Sequence, residues 1–96
     1  MNFEELHSYL NKRGFFNTFQ VLSKFKHYKA EKGEFYKLLT EFSHYNSFLR
    51  IKDKLIGLNL IRIENDNGKE FIELTEKGIS LYDNLILLNK FFKEED

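Results

Sequence analysis

Tyr45-Asn46-Ser47-Phe48-Leu49-Arg50-Ile51-Lys52-Asp53-Lys54-Leu55-Ile56-Gly57-Leu58-Asn59-Leu60-Ile61-Arg62 carries the densest structural signal in this 96-residue chain. Phe48, Ile51, Leu55 and Leu58 fall at i, i+3, i+7 and i+10, which makes one apolar helical stripe. Ser47, Arg50 and Lys54 repeat that spacing on another face, which is polar and mostly basic. Asn59 follows, then a strand-like Leu60-Ile61-Arg62-Ile63. Asparagine tolerates a positive φ, so Asn59 is read as the left-handed residue that ends the helix. An apolar back, a basic front and a direct exit into a hairpin are what a reader of the DNA major groove requires.

Working downstream, Ile61-Arg62-Ile63-Glu64 alternates as a strand and Glu70-Phe71-Ile72-Glu73-Leu74 returns. Between them Asn65-Asp66-Asn67-Gly68 is a turn, and Asn67-Gly68 is a strong hairpin signal. Lys69 sits at the hairpin tip and Arg62 near its base. Thr75 caps a last helix that runs to about Phe92. Its apolar residues are not confined to one stripe: Leu81, Leu85, Leu88 and Phe92 mark one face, and Ile79, Tyr82 and Ile86 an adjoining one. One small domain covers one side of a terminal helix, so the surplus predicts a homodimer interface at Leu81, Tyr82, Leu85, Leu88 and Phe92.

Upstream, residues 2–13 are read as a short helix capped by Asn2, with Glu4 and Glu5 in its first turn, Phe3, Leu6 and Leu10 on one face, and Gly14 at its end. The expected role is structural, covering the core or pairing with a second subunit. A second helix is expected over 17–29, burying Phe19, Val21, Leu22, Phe25 and Tyr28. Ala30-Glu31-Lys32-Gly33 is read as a turn. A helix from Glu34 to Phe42 follows, then a brief turn with Ser43 or Asn46 as the next N-cap. Short helices joined by such turns make a helix-turn-helix.

Composition narrows the possible functions. Ninety-six residues make one small domain. With no cysteine there is no disulfide, thiolate chemistry or Cys-based metal site. No signal peptide and no bilayer-spanning stretch stand out, so a soluble cytoplasmic protein with no membrane partner is expected. Formal net charge is zero, but its distribution is uneven. Residues 12–62 hold eleven Lys or Arg against four acids, net +7; residues 1–11 carry −2 and residues 63–96 carry −5. A basic middle with acidic ends suits a groove-binding face backed by a solvated one. His7, His27 and His44 lack partners at metal-ligand spacing, so no metal site is expected. No nucleophile elbow, phosphate-cradling glycine loop or paired carboxylates stand out, so neither an enzyme nor a cofactor is expected.

With this element order, the sequence resembles winged-helix DNA-binding proteins, most of all MarR-type regulators and the small winged-helix regulators of archaea and their viruses and plasmids. Ser47 to Ile61 matches that family's recognition helix and its Gly-Leu-Ile/Val exit, and Leu74-Thr75-Glu76-Lys77-Gly78 matches the motif after its wing. The similarity covers about residues 17–88. Asn59 stands where the family usually has Gly, and Asp66-Asn67-Gly68-Lys69 replaces its Asp-Arg-Arg wing sequence. The wing tip therefore offers no arginine for minor-groove insertion.

The resemblance implies a mainly α fold with a small β-hairpin: a single winged helix-turn-helix domain over 1–96. Within it, 1–14 would be an N-terminal helix, 17–74 the winged-helix core and 75–93 a long C-terminal dimerisation helix. It implies a homodimeric transcription regulator that places the 45–58 helix in the major groove of double-stranded DNA, with the 62–73 hairpin as wing. Arg50 would contact guanine, with Ser47 and Asn46 near base edges or phosphates. Lys37, Lys54, Tyr45, His44 and Arg62 would hold phosphates, and Asn67 and Lys69 would set the wing beside the minor groove. A small-molecule effector is conceivable, but no residues name its site. The alternative is a winged helix used as a protein-interaction module in a transcription or replication complex.

Overall fold

In the computed structural model, which describes residues 2–12 and 14–94 with side chains through Phe91, five α-helices surround a three-stranded antiparallel sheet. The helices are α1 (Phe3–Leu10), α2 (Phe15–Leu22), α3 (Lys32–Leu39), α4 (Tyr45–Gly57) and α5 (Glu76–Glu94). The strands are β1 (Lys29–Glu31), β2 (Ile61–Asp66) and β3 (Lys69–Leu74), in the order β1-β3-β2. The fold is mainly helical, as expected, but the sheet has one strand more than the expected hairpin.

Helix α1 starts as the sequence predicts: the Glu5 backbone N–H donates to Asn2 Oδ1 at 2.8 Å. It ends at Asn11 rather than Gly14, and buries no residue. Gly14 instead opens α2. A Cβ there would lie 2.7 Å from the Ser47 carbonyl oxygen, so glycine lets the start of α2 rest directly on the backbone of α4. Helix α2 buries Phe15, Thr18, Phe19, Val21 and Leu22.

The helix expected to reach residue 29 stops at Leu22. Ser23 Oγ donates to the Gln20 carbonyl, a local bond that competes with helix continuation. A short 3₁₀ turn, Lys26–Tyr28, then reverses the chain, with His27 and Tyr28 at φ 60° and 56°. These two left-handed residues deliver Lys29–Glu31 to the edge of β3, where Ala30 pairs with Ile72. The expected turn at 30–33 is thus β1 plus the first residues of α3. Helix α3 runs from Lys32 to Leu39, two residues earlier at its start than expected. Before α4, His44 holds the N-cap position with no side-chain capping bond, so neither Ser43 nor Asn46 caps it.

Helix α4 buries Phe48, Ile51 and Leu55 of the predicted stripe, while Leu58, its last member, is half-buried just past the helix end. It ends in a Schellman pair: Asn59 N–H to Ile56 O and Leu60 N–H to Leu55 O, both 2.9 Å, with Asn59 at φ 59°. β2 and β3 join through a two-residue turn, Asn67-Gly68, both at positive φ as a type I′ turn requires. The start of α5 is tied back onto the exit of α4. Thr75 Oγ1 donates to the Asn59 carbonyl at 2.6 Å and accepts from the Gly78 N–H at 3.0 Å. Lys77 Nζ donates to the Leu58 carbonyl at 2.8 Å. A Cβ at Gly78 would overlap the Leu60 carbonyl oxygen. Thr75-Glu76-Lys77-Gly78 is therefore a docking element, each of Thr75, Lys77 and Gly78 meeting a different carbonyl at the end of α4.

The core is one cluster centred on Phe15, Phe19, Phe35, Phe48, Leu55, Leu60 and Ile72. Two of the residues expected at a dimer interface are taken up within the chain. Tyr82 stacks on Phe19 at 6.2 Å between ring centroids, and Leu85 is buried. Leu81 packs partly on the same core. Leu87 and Leu88 are exposed, while the side chain of Phe92 lies outside the described residues.

Candidate nucleic-acid interface

The position of α4 is set by aromatic packing from α3. Phe35 meets Phe48 edge-on at 4.9 Å, Tyr36 meets Phe48 at 6.0 Å, and Tyr36 meets Tyr45 at 5.7 Å. With Phe48, Ile51 and Leu55 turned inward, the helical repeat of about 100° per residue divides the outer surface into two flanks. One flank carries Ser47, Arg50 and Lys54. The other carries the exposed Tyr45, Leu49 and Ile56, with Asn46 and Asp53 between the flanks.

The basic flank borders a groove. Tyr9 and Lys12, from α1 and its C-terminal end, face Ser47, Arg50, Ile51 and Lys54 of α4 across about 420 Å³. The Tyr9 ring is fixed by stacking on the buried Phe15, at 5.7 Å and 14° between planes. Lys12, Arg50 and Lys54 form no ion pair among the described residues, and Asp53 is not bonded to Arg50. Three cations on one groove, with no acid opposite them among the described residues, leave an attractive field for an anion.

Cations on and beside the sheet are disposed differently. Lys29 bonds Glu64 at 2.9 Å, Lys32 bonds Glu70 at 3.1 Å, and Arg62 bonds Glu73 at 2.9 Å across the β2–β3 ladder. The Lys29 ammonium holds the Glu64 carboxyl below the usual carboxylate range, chiefly by hydrogen bonding. Glu64 and Glu70 likewise push Lys29 and Lys32 upward. Burial pushes the Tyr36 hydroxyl up.

Of the residues singled out from the sequence, Ser47, Arg50 and Lys54 come together in the groove. Asn46, Tyr45 and His44 lie exposed at the start of α4, and Lys37 is exposed on α3. Arg62 is engaged by Glu73. Asn67 and Lys69 sit at the hairpin tip, beyond six residues of β2, roughly 20 Å of strand. The sequence reading missed Lys12 and Tyr9, because only the packing of Tyr9 on Phe15 of α2 brings the end of α1 beside α4. It also passed over Leu49 and Ile56, although Tyr45, Leu49 and Ile56 at i, i+4 and i+11 form a second apolar stripe.

Among the described residues, no group of three or more His, Asp or Glu is placed to hold a metal ion, and no helix is long and apolar enough to cross a membrane. Comparisons of the chain with known protein families, with curated proteins and with solved structures return no match.

Proposed function

We propose that this chain is a winged-helix regulator that binds double-stranded DNA as a homodimer in the cytoplasm. The observation that carries the reading is the Ser47–Arg50–Lys54 flank of α4. Its cations have no acidic partner among the described residues, whereas three cations around the sheet are paired. The element order α2-β1-α3-α4-β2-β3, with β3 central, supports a winged helix with α4 as recognition helix. Exposed apolar residues on α1 and α5, Phe3 and Leu10 with Leu87 and Leu88, support a second copy. Arg50 is the expected guanine contact, and Lys54 holds a phosphate.

The test is selection from a pool of random duplexes at two salt concentrations, with Arg50→Ala alongside. The expected result is a two-fold symmetric site, a steep loss of affinity with salt, and about 1–3 kcal/mol of lost base discrimination for Arg50→Ala. Absence of duplex binding at low salt refutes the reading.

The other flank of α4 favours a second reading. Phe42, Tyr45, Leu49 and Ile56 are each about 40–50% exposed, an apolar strip that suits a protein partner. Under that reading Leu49→Ser abolishes partner binding, while Arg50→Ala changes little.

A further inference from the structure

We propose that the groove between α1 and α4 is a phosphate-binding site and that Lys12 is its anchoring cation. One wall is α4; the other, the end of α1, is positioned through α2. Gly14 seats the beginning of α2 on the Ser47 backbone, two residues from Lys12, with no room for a side chain between. Tyr9 is locked by its stack on Phe15. Lys12, whose carbonyl accepts from the Phe15 N–H at 3.2 Å, faces Arg50 and Lys54 across about 420 Å³, a space large enough for a phosphate group and its waters.

The chemistry of the lining selects the ligand. Lys12, Arg50 and Lys54 supply positive charge, and Arg50 adds a planar fork that grips two oxygens at once. The hydroxyls of Tyr9 and Ser47 add donors, and neither has a hydrogen-bond partner among the described residues. Ile51 forms an apolar floor, and among the described residues no acid lines the groove. This is a donor-rich cavity for a tetrahedral oxyanion. Where the source is a DNA backbone, the inference rests on the regulator reading above, and it adds a contact from outside the recognition helix. The same chemistry would accept a free phosphorylated compound.

Two measurements decide it. The first is the salt dependence of duplex affinity for the wild type, Lys12→Gln and Lys26→Gln. Lys26 lies beyond the opposite end of α2 from Gly14, so its variant controls for net charge. Losing one phosphate contact lowers the slope of log affinity against log salt by about 0.9, and lowers affinity roughly eightfold at 0.1 M salt. That is expected of Lys12→Gln on every duplex sequence and not of Lys26→Gln. If the wild type binds duplex and Lys12→Gln leaves slope and affinity unchanged, the groove proposal falls while the regulator reading stands.

The second measurement is pyrophosphate titration followed by the amide signals of Tyr9, Lys12, Ser47 and Arg50. If the wild type binds no duplex, the regulator reading falls. A saturable shift at those four residues, absent in Lys12→Gln, then supports the groove with a free phosphorylated ligand as its source. No shift there, or an equal shift at Lys24 and Lys26, overturns the proposal.

Discussion

Replacing Gly78 by alanine drives a methyl group into the Leu60 carbonyl oxygen at the point where α5 docks onto the exit of α4. The three nearest atoms to that methyl are all Leu60 backbone: it would also come within 3.1 Å of the carbonyl carbon and 3.5 Å of the Cα. No side chain can rotate away, so the start of α5 must move by on the order of 1 Å to restore ordinary contact. That movement strains three bonds: Gly78 N–H to Thr75 Oγ1, Thr75 Oγ1 to Asn59 O, and Thr75 N–H to Leu60 O at 3.1 Å. Each is worth about 0.5–1.5 kcal/mol net, and forced overpacking adds about 1–3 kcal/mol. Against this, alanine in a helix gains about 0.5–1 kcal/mol over glycine.

The expected balance for Gly78→Ala is a loss of about 2–3 kcal/mol, since the strained bonds lengthen rather than break outright. For a domain of this size that lowers Tm by about 10–20 °C. Gly57→Ala is the matched control. Gly57 lies in the last turn of α4, and a methyl group added there would meet nothing within 4 Å, so the substitution should stabilise by up to about 1 kcal/mol. Urea denaturation followed by circular dichroism measures both. A Gly78→Ala midpoint within about 0.5 kcal/mol of wild type, or equal to that of Gly57→Ala, refutes the docking argument.

Asn59→Ala should cost about 1 kcal/mol, because the left-handed backbone at φ 59° is disfavoured for alanine, whereas Asn59→Gly should be within about 0.5 kcal/mol of wild type. Equal urea midpoints for the alanine and glycine variants would contradict this. The Glu64 carboxyl is held below its ordinary range by Lys29, so its contribution is present above that range and is lost on acidification through the lowered value. Glu64→Gln should therefore be less stable than wild type at neutral pH, begin to converge with it as the pH falls past the ordinary glutamate range, about pH 4, and meet it only below the lowered value. A difference that does not change with pH would show that the pair adds no charge-dependent stability.

The parts legible in the sequence are those whose signal is local. Helix α4 announces itself because Phe48, Ile51 and Leu55 repeat at helical spacing. Asn59 and Asn67-Gly68 are legible because few residue types tolerate positive φ. Thr75 is legible because a helix needs a cap. The missed parts depend on distant partners. Phe25 and Tyr28 continue the spacing of Phe19 and Leu22, so periodicity extends α2 through a segment that reverses direction at two left-handed residues. Histidine is enriched at positive φ but tyrosine is not, and the pair carries none of the turn signal that Asn67-Gly68 does. β1 is three residues long, too short for alternation to register. The apolar surplus of α5 is legible as a surplus, but the sequence does not say that Phe19 claims Tyr82. At the candidate site, Arg50 and Lys54 follow from the face of one helix, whereas Lys12 and Tyr9 follow only from where α2 places the end of α1.

β1 also bears on how much of this chain must exist before any of it holds shape. Its three residues pair only with β3, whose register partners Phe71, Ile72 and Glu73 lie about forty positions downstream. Until the ribosome has released the second half of the chain, α2 and α3 are joined by a segment whose edge amides have nothing to bond. Closing a loop of that length costs entropy that only the finished hairpin repays. The α3–α4 unit is consequently not portable. A fragment ending near residue 60 should lack a cooperative melt, and grafting α4 onto another scaffold would transfer its side chains without the geometry that aims them.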